Sequence, residues 1–94
     1  RNGVYITKTN GVWNSITNIG IRPTFGGGEL SIETFLLDKF EGKTPERIWI
    51  EFLRRIRDEK KFESAEALKG QILRDAGRAK TFFRRTANLR KHLD

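Results

Sequence analysis

Ninety-four residues, 36% of them hydrophobic, make room for one small soluble domain and exclude a long disordered chain. The absence of cysteine and the single histidine, His92, argue against a disulfide framework, a thiolate nucleophile or zinc site, and a histidine-based triad. The net charge of +7 lies wholly in residues 54–94, with thirteen basic and six acidic side chains, whereas residues 1–53 balance at six and six.

In chain order, Val4-Tyr5-Ile6-Thr7 reads as a first strand leading into Asn10-Gly11, and Val12 to Ile19 reads as a second. Asn-Gly between two β-prone runs is a strong hairpin signal, because both residues tolerate positive φ. Arg22-Pro23-Thr24-Phe25-Gly26-Gly27-Gly28 reads as a loop, since proline removes a donor and the glycines loosen the backbone. Leu30 to Asp38 forms a third strand. A polar turn over 39–46, with Gly42 and Pro45, leads to a fourth strand at Arg47–Ile56. That strand is expected to place Ile48, Ile50 and Phe52 on one face and Arg47, Glu51 and Arg55 on the other.

Beyond residue 57 the periodicity becomes helical. Ser64 is a candidate N-cap, with Glu66 in the first turn to complement the helix dipole. Ala65, Leu68, Ile72, Ala76, Ala79 and Phe83 recur as one apolar stripe. The helix is expected to run to about Phe83, with residues 84–94 a basic tail or a further helical turn. Strands followed by one helix make the domain mainly β, in the α+β class. Four strands leave sheet edges open, which invites self-association and suggests that elements are missing at the N-terminus.

Few residues offer chemistry. Glu33 shares its strand face with Phe35 and Leu37, and apolar neighbours would raise a carboxyl's proton affinity toward that of a general base. A water-facing Glu33 on an edge strand is the plain alternative. Gly26-Gly27-Gly28 makes a flexible flap, a weak phosphate-loop signal with no Walker-type Lys-Ser/Thr after it. Arg57, Lys60 and Phe62 bring two cations and a ring to the helix entrance, suited to a planar anionic ligand or to an ordinary charged connector. Residues 78–93 hold six Lys/Arg and no acid, which fits either a solvated helix face or a polyanion site.

The run Asn18-Ile19-Gly20-Ile21-Arg22-Pro23-Thr24-Phe25-Gly26-Gly27-Gly28 continues through Leu30-Ser31-Ile32-Glu33 and Leu36-Leu37-Asp38. With Ile50-Glu51-Phe52-Leu53 and Arg57-Asp58-Glu59-Lys60-Lys61-Phe62-Glu63-Ser64, it strongly resembles the riboflavin kinase module. That module is the C-terminal half of bacterial bifunctional riboflavin kinase/FAD synthetases, and the resemblance covers roughly residues 3–83. It implies a small six-stranded Greek-key β-barrel, here incomplete, with one C-terminal helix, and a domain at 1–83 followed by the tail at 84–94. It also implies transfer of the γ-phosphoryl of ATP to the ribityl 5′-hydroxyl of riboflavin, giving FMN. On this resemblance Glu33 is the catalytic base, Leu36 and Asp38 contact the nucleotide, and Arg57, Lys60 and Phe62 hold the flavin.

The family's Pro-Thr-Ala-Asn motif, whose threonine and asparagine bind Mg²⁺ and ATP phosphates, lies upstream of the position of Gly3-Val4-Tyr5. The resemblance therefore implies Mg²⁺ ligands upstream of this chain and a poor or inactive kinase in residues 1–94 alone. Thr44-Pro45 stands where Tyr-Gly is common. Thr86-Ala87-Asn88 repeats the missing tripeptide at the far end, where it reads as basic tail. The implied setting is cytoplasmic, with a preceding FMN adenylyltransferase domain. No apolar run nears the roughly 20 residues of a membrane span. The alternatives are a non-catalytic flavin- or nucleotide-binding remnant and a basic nucleic-acid-binding module. Against the latter, Tyr5, Trp13 and Trp49 show no basic-aromatic alternation along a sheet face.

Overall fold

A computed structural model describes residues 1–93, with nothing said of the side chains of 23, 24 and 90–93. The chain divides into two compact units, Arg1–Lys61 and Phe62–Asp94. The first holds strands β1 (Gly3–Thr9), β2 (Trp13–Thr24), β3 (Gly27–Leu36) and β4 (Ile50–Arg57). The second holds helix α1 (Ala65–Leu93). This is the mainly β, α+β class expected.

The four strands form one antiparallel sheet in the order β3-β2-β1-β4. Asn10 and Gly11 turn the β1–β2 hairpin with φ of 52° and 66°, and the Val12 N–H donates to the Thr9 carbonyl at 3.0 Å. Asn10 also ties down the chain before β4. Its Nδ2 donates to the Arg47 carbonyl at 3.2 Å, its Oδ1 accepts the Trp49 N–H at 2.9 Å, and its own N–H reaches the Trp49 carbonyl. Val4, Ile6 and Ile16 are buried on one face of the sheet. On the other face the buried residues are Thr7, Thr9, Ser15 and Thr17.

Several expectations are corrected. Residues 22–28 are a hairpin rather than a loop: Pro23 pairs with Gly28 and Thr24 with Gly27, leaving Phe25-Gly26 at the tip. Past Ile19, β2 is paired by β3 alone, and a strand paired on one side tolerates proline. Gly26 and Gly27, at φ of 90° and 157°, supply the tight return. The fourth strand begins at Ile50 instead of Arg47, so Ile48 lies outside it and exposed. Register shifts opposite Val4/Tyr5 and Ile6/Thr7 break the strict alternation of β4.

Ser64 caps α1 as expected, its Oγ accepting the Ala67 N–H at 3.1 Å. The helix does not stop near Phe83 but continues to Leu93, so the residues expected as a tail are helical up to that point, while Asp94 lies outside the described residues. Its buried positions are Gln71, Asp75 and Ala79, whereas Leu68 and Leu73 are exposed. Gln71 Nε2 donates to Asp75 Oδ1 at 2.9 Å, and Arg74 donates to Gln71 Oε1 at 3.1 Å. Partnered polar groups tolerate burial, which a stripe counted on apolar letters alone overlooks.

Candidate active site

Among the described residues, two clefts of the first unit matter for the site. The smaller, about 180 Å³, is lined by Asn18, Gly20, Ile21, Arg22, Ser31, Glu33 and Glu59. The alternation of strand side chains builds it, with Asn18, Gly20 and Arg22 from β2 and Ser31 and Glu33 from β3. Asn18 lies directly across the register from Glu33, and Gly20 across from Ser31. Glu33 Oε1 accepts the Ser31 hydroxyl at 3.2 Å and lies 3.8 Å from Arg22 Nη2. The Glu59 carboxylate lies against Gly20, where a Cβ would make it swing aside.

Glu33 is thus not enclosed by apolar side chains. Its side chain is 52% exposed, on an edge strand, among polar groups. Arg22 and Ser31, rather than apolar neighbours, set the environment of the carboxylate. Asn18 Oδ1 is a buried acceptor with no hydrogen-bond partner.

The larger cleft, about 320 Å³, is lined by Thr9, Trp13, Thr34, Leu36, Phe40, Thr44, Pro45 and Ile48. The Trp13 and Phe40 rings stand 5.3 Å apart at 43°. Leu36 faces this cleft, while Glu33, an odd number of residues away on β3, faces the opposite side of the strand. Asp38 Oδ2 accepts the Asn14 N–H at 2.8 Å, which continues the β2–β3 junction past Leu36.

Arg57 ends β4, half-buried, and donates to the Asp58 carbonyl at 2.9 Å. Lys60 follows, exposed. Phe62 opens the second unit and is half-buried there. Among the described residues no three acidic or imidazole groups converge as a metal site. The Glu33 carboxylate instead has Arg22 and Ser31 as its neighbours.

The residues that sequence reading missed include Asn18, Arg22, Ser31, Glu59, Trp13 and Phe40. Glu59 lies in a charged connector and shows its place only through the close approach to Gly20. Trp13 and Phe40 are aromatics from separate segments, brought together by pairing.

The family model for riboflavin kinase matches residues 1–83. The chain belongs to the riboflavin kinase family. It is 40% identical to the bifunctional riboflavin kinase/FMN adenylyltransferase of Bacillus subtilis over 95 residues, covering 95% of this chain and 29% of that protein. The corresponding Haemophilus influenzae enzyme is 36% identical over 85 residues, covering 86% of this chain and 28% of that protein. An RNA-binding riboflavin kinase of Bacillus subtilis, RibR, is 38% identical over 79 residues, covering 80% and 34%. This family member therefore spans about a third or less of the curated relatives it matches. A solved structure described as a macrolide-efflux protein from Streptococcus pneumoniae superposes with a TM-score of 0.71 at 27% identity, covering 84% of this chain and 27% of that one. Among the described residues no helix is long and apolar enough to cross a membrane.

Proposed function

We propose that this chain serves the ATP-dependent phosphorylation of riboflavin to FMN. The observation that carries the reading is the Glu33 carboxylate, held between Arg22 and Ser31 at a cleft and set in the motif that the family shares. Glu33 accepts the proton of the ribityl 5′-hydroxyl as its oxygen attacks the γ-phosphorus, and ADP leaves. The half-exposed carboxylate then returns that proton to water. Arg22 and Ser31 orient the accepting oxygen, and the unpartnered Asn18 Oδ1 is an acceptor left over for a substrate hydroxyl.

Leu36, Trp13 and Phe40 give the nucleotide base an apolar cleft, with Asp38 beside it in the chain. Arg57, the last residue of β4, and Lys60, just after it, are assigned to the flavin, and Phe62 keeps that role by its place in the family motif. Mg²⁺ is assigned to no residue here. A preceding adenylyltransferase domain, like that of the bifunctional relatives, would consume the FMN.

Chromatographic assay of FMN made from riboflavin and ATP tests the reading in the full natural protein. Glu33→Gln should lower kcat by roughly 10² or more while riboflavin affinity changes little. Turnover near that of the wild type would remove Glu33 from the chemistry.

A second reading, polyanion binding by α1, is favoured by the exposed Arg78, Lys80, Arg84 and Arg85. A relative named as RNA-binding adds to it.

A further inference from the structure

On the face of the sheet opposite Glu33, five hydroxyls form one continuous row. Thr9 bonds Ser15 at 2.8 Å, Ser15 bonds Thr7 at 2.7 Å, Thr7 bonds Thr17 at 2.9 Å, and Thr17 bonds Thr34 at 2.9 Å. Each hydroxyl carries a single proton and can accept two. Four bonds therefore use four of the five protons, and one proton is left over.

The place of that spare proton is restricted. Thr7, Ser15 and Thr17 are 0% exposed, on strands β1 and β2 that are each paired on both sides. A donor left unpaired there would be strongly disfavoured. The spare proton belongs at an end of the row, on Thr9 or Thr34, and both ends line the larger cleft. Thr9 is buried and Thr34 half-buried, so Thr34 is the end that a ligand reaches.

We propose that Thr34 donates a hydrogen bond into this cleft and selects a flat, largely apolar heterocycle that carries an acceptor on its edge. The walls supply Trp13, Phe40, Leu36 and Ile48 for the ring faces. Such an acceptor aligns all four bonds of the row toward Thr34, and an aligned chain of hydroxyls makes its last member a stronger donor. Thr9 is then held as an acceptor-free donor to Ser15, so the two ends of the row cannot both donate outward. The inference rests on the nucleotide reading of the cleft, which makes the heterocycle a purine.

Adenosine and its 1-deaza, 3-deaza and 7-deaza analogues are the probes, titrated with the Trp13 indole N–H followed by NMR. With the wild type, one of the three analogues should bind about three- to tenfold more weakly than adenosine, the cost of one neutral hydrogen bond. Thr34→Val should weaken adenosine by a similar factor and abolish the difference between it and that analogue. Thr34→Ser should restore the difference, and Thr9→Val should leave it in place, since a row of four still ends at Thr34. A discrimination that survives in Thr34→Val, or four equal affinities in the wild type, overturns the donor while leaving the nucleotide reading intact. An unmoved Trp13 signal at millimolar adenosine overturns both.

Discussion

Glu33 and Asp58 show how differently two exposed carboxylates are used. Glu33 keeps a long contact with Arg22, 3.8 Å, and so has room to exchange that partner for a substrate hydroxyl. Asp58 Oδ1 instead accepts a tight bond from Arg55 Nη2, while the same guanidinium donates to the Asn2 carbonyl at 2.8 and 3.2 Å. The hydrogen bond from Arg55 holds the Asp58 carboxyl below its usual range, and the same bond raises Arg55 further above its own. Arg55 is therefore charged at every working pH, and the titration belongs to Asp58. A carboxyl with a depressed folded value stabilises above its ordinary value and loses that contribution as the pH falls through the folded one. Urea midpoints of the wild type should exceed those of Asp58→Asn at about pH 6 and converge with them as the pH falls below the ordinary aspartate range. The pair is exposed, so the difference will be small. A gap that widens on acidification would contradict the linkage.

At the scale of elements, the β1–β2 hairpin depends on its two positive-φ residues. A methyl at Gly11 meets nothing within 4 Å, so Gly11→Ala tests the backbone alone and should cost about 1 kcal/mol. Asn10→Ala adds the loss of the side-chain bonds to Arg47 and Trp49, and should cost about 2 kcal/mol or more in chemical denaturation. An Asn10→Ala variant no worse than Gly11→Ala would show that the anchoring of residues 47–49 contributes nothing. The helix carries the other prediction. If the exposed Arg78, Lys80, Arg84 and Arg85 each neutralise one phosphate of single-stranded RNA, log K should fall against log salt with a slope of about −3. Charge-neutral substitutions at Arg84 and Arg85 should halve it. Binding that ignores salt would dismiss the polyanion reading.

For the whole molecule, the sheet edges matter most. Among the described residues β3 and β4 are each paired on one side only, and both expose apolar side chains: Leu30, Ile32 and Phe35 on β3, Phe52 and Leu53 on β4. An open apolar edge recruits another strand, and a second copy of the chain is the nearest supply. Sedimentation of the 94-residue chain should therefore show association that rises with concentration, and Ile32→Lys should reverse it. A monomer at high micromolar concentration would mean that the edges are already protected.

The sequence by itself determined the class of the fold, the Asn10-Gly11 hairpin, the Ser64 cap and the family. Each rests on neighbours in the chain: a turn needs two adjacent residues tolerant of positive φ, a cap needs one side chain near the next free N–H groups, and a motif is read letter by letter. Local pattern also singled out Glu33 as a candidate, and the family resemblance added Leu36. Neither could give their setting, because which face of a strand is polar depends on what the paired strand brings across. Asn18, Arg22 and Glu59 surround Glu33 only after β2 pairs with β3 and the segment after β4 comes over Gly20. The glycine run was misread for the same reason, since pairing with 22–24 converts a flexible sequence into a strand. The hydroxyl row is the clearest case. Thr7, Thr9, Ser15, Thr17 and Thr34 look like ordinary strand residues, and only the register of three strands sets their oxygens within hydrogen-bond reach.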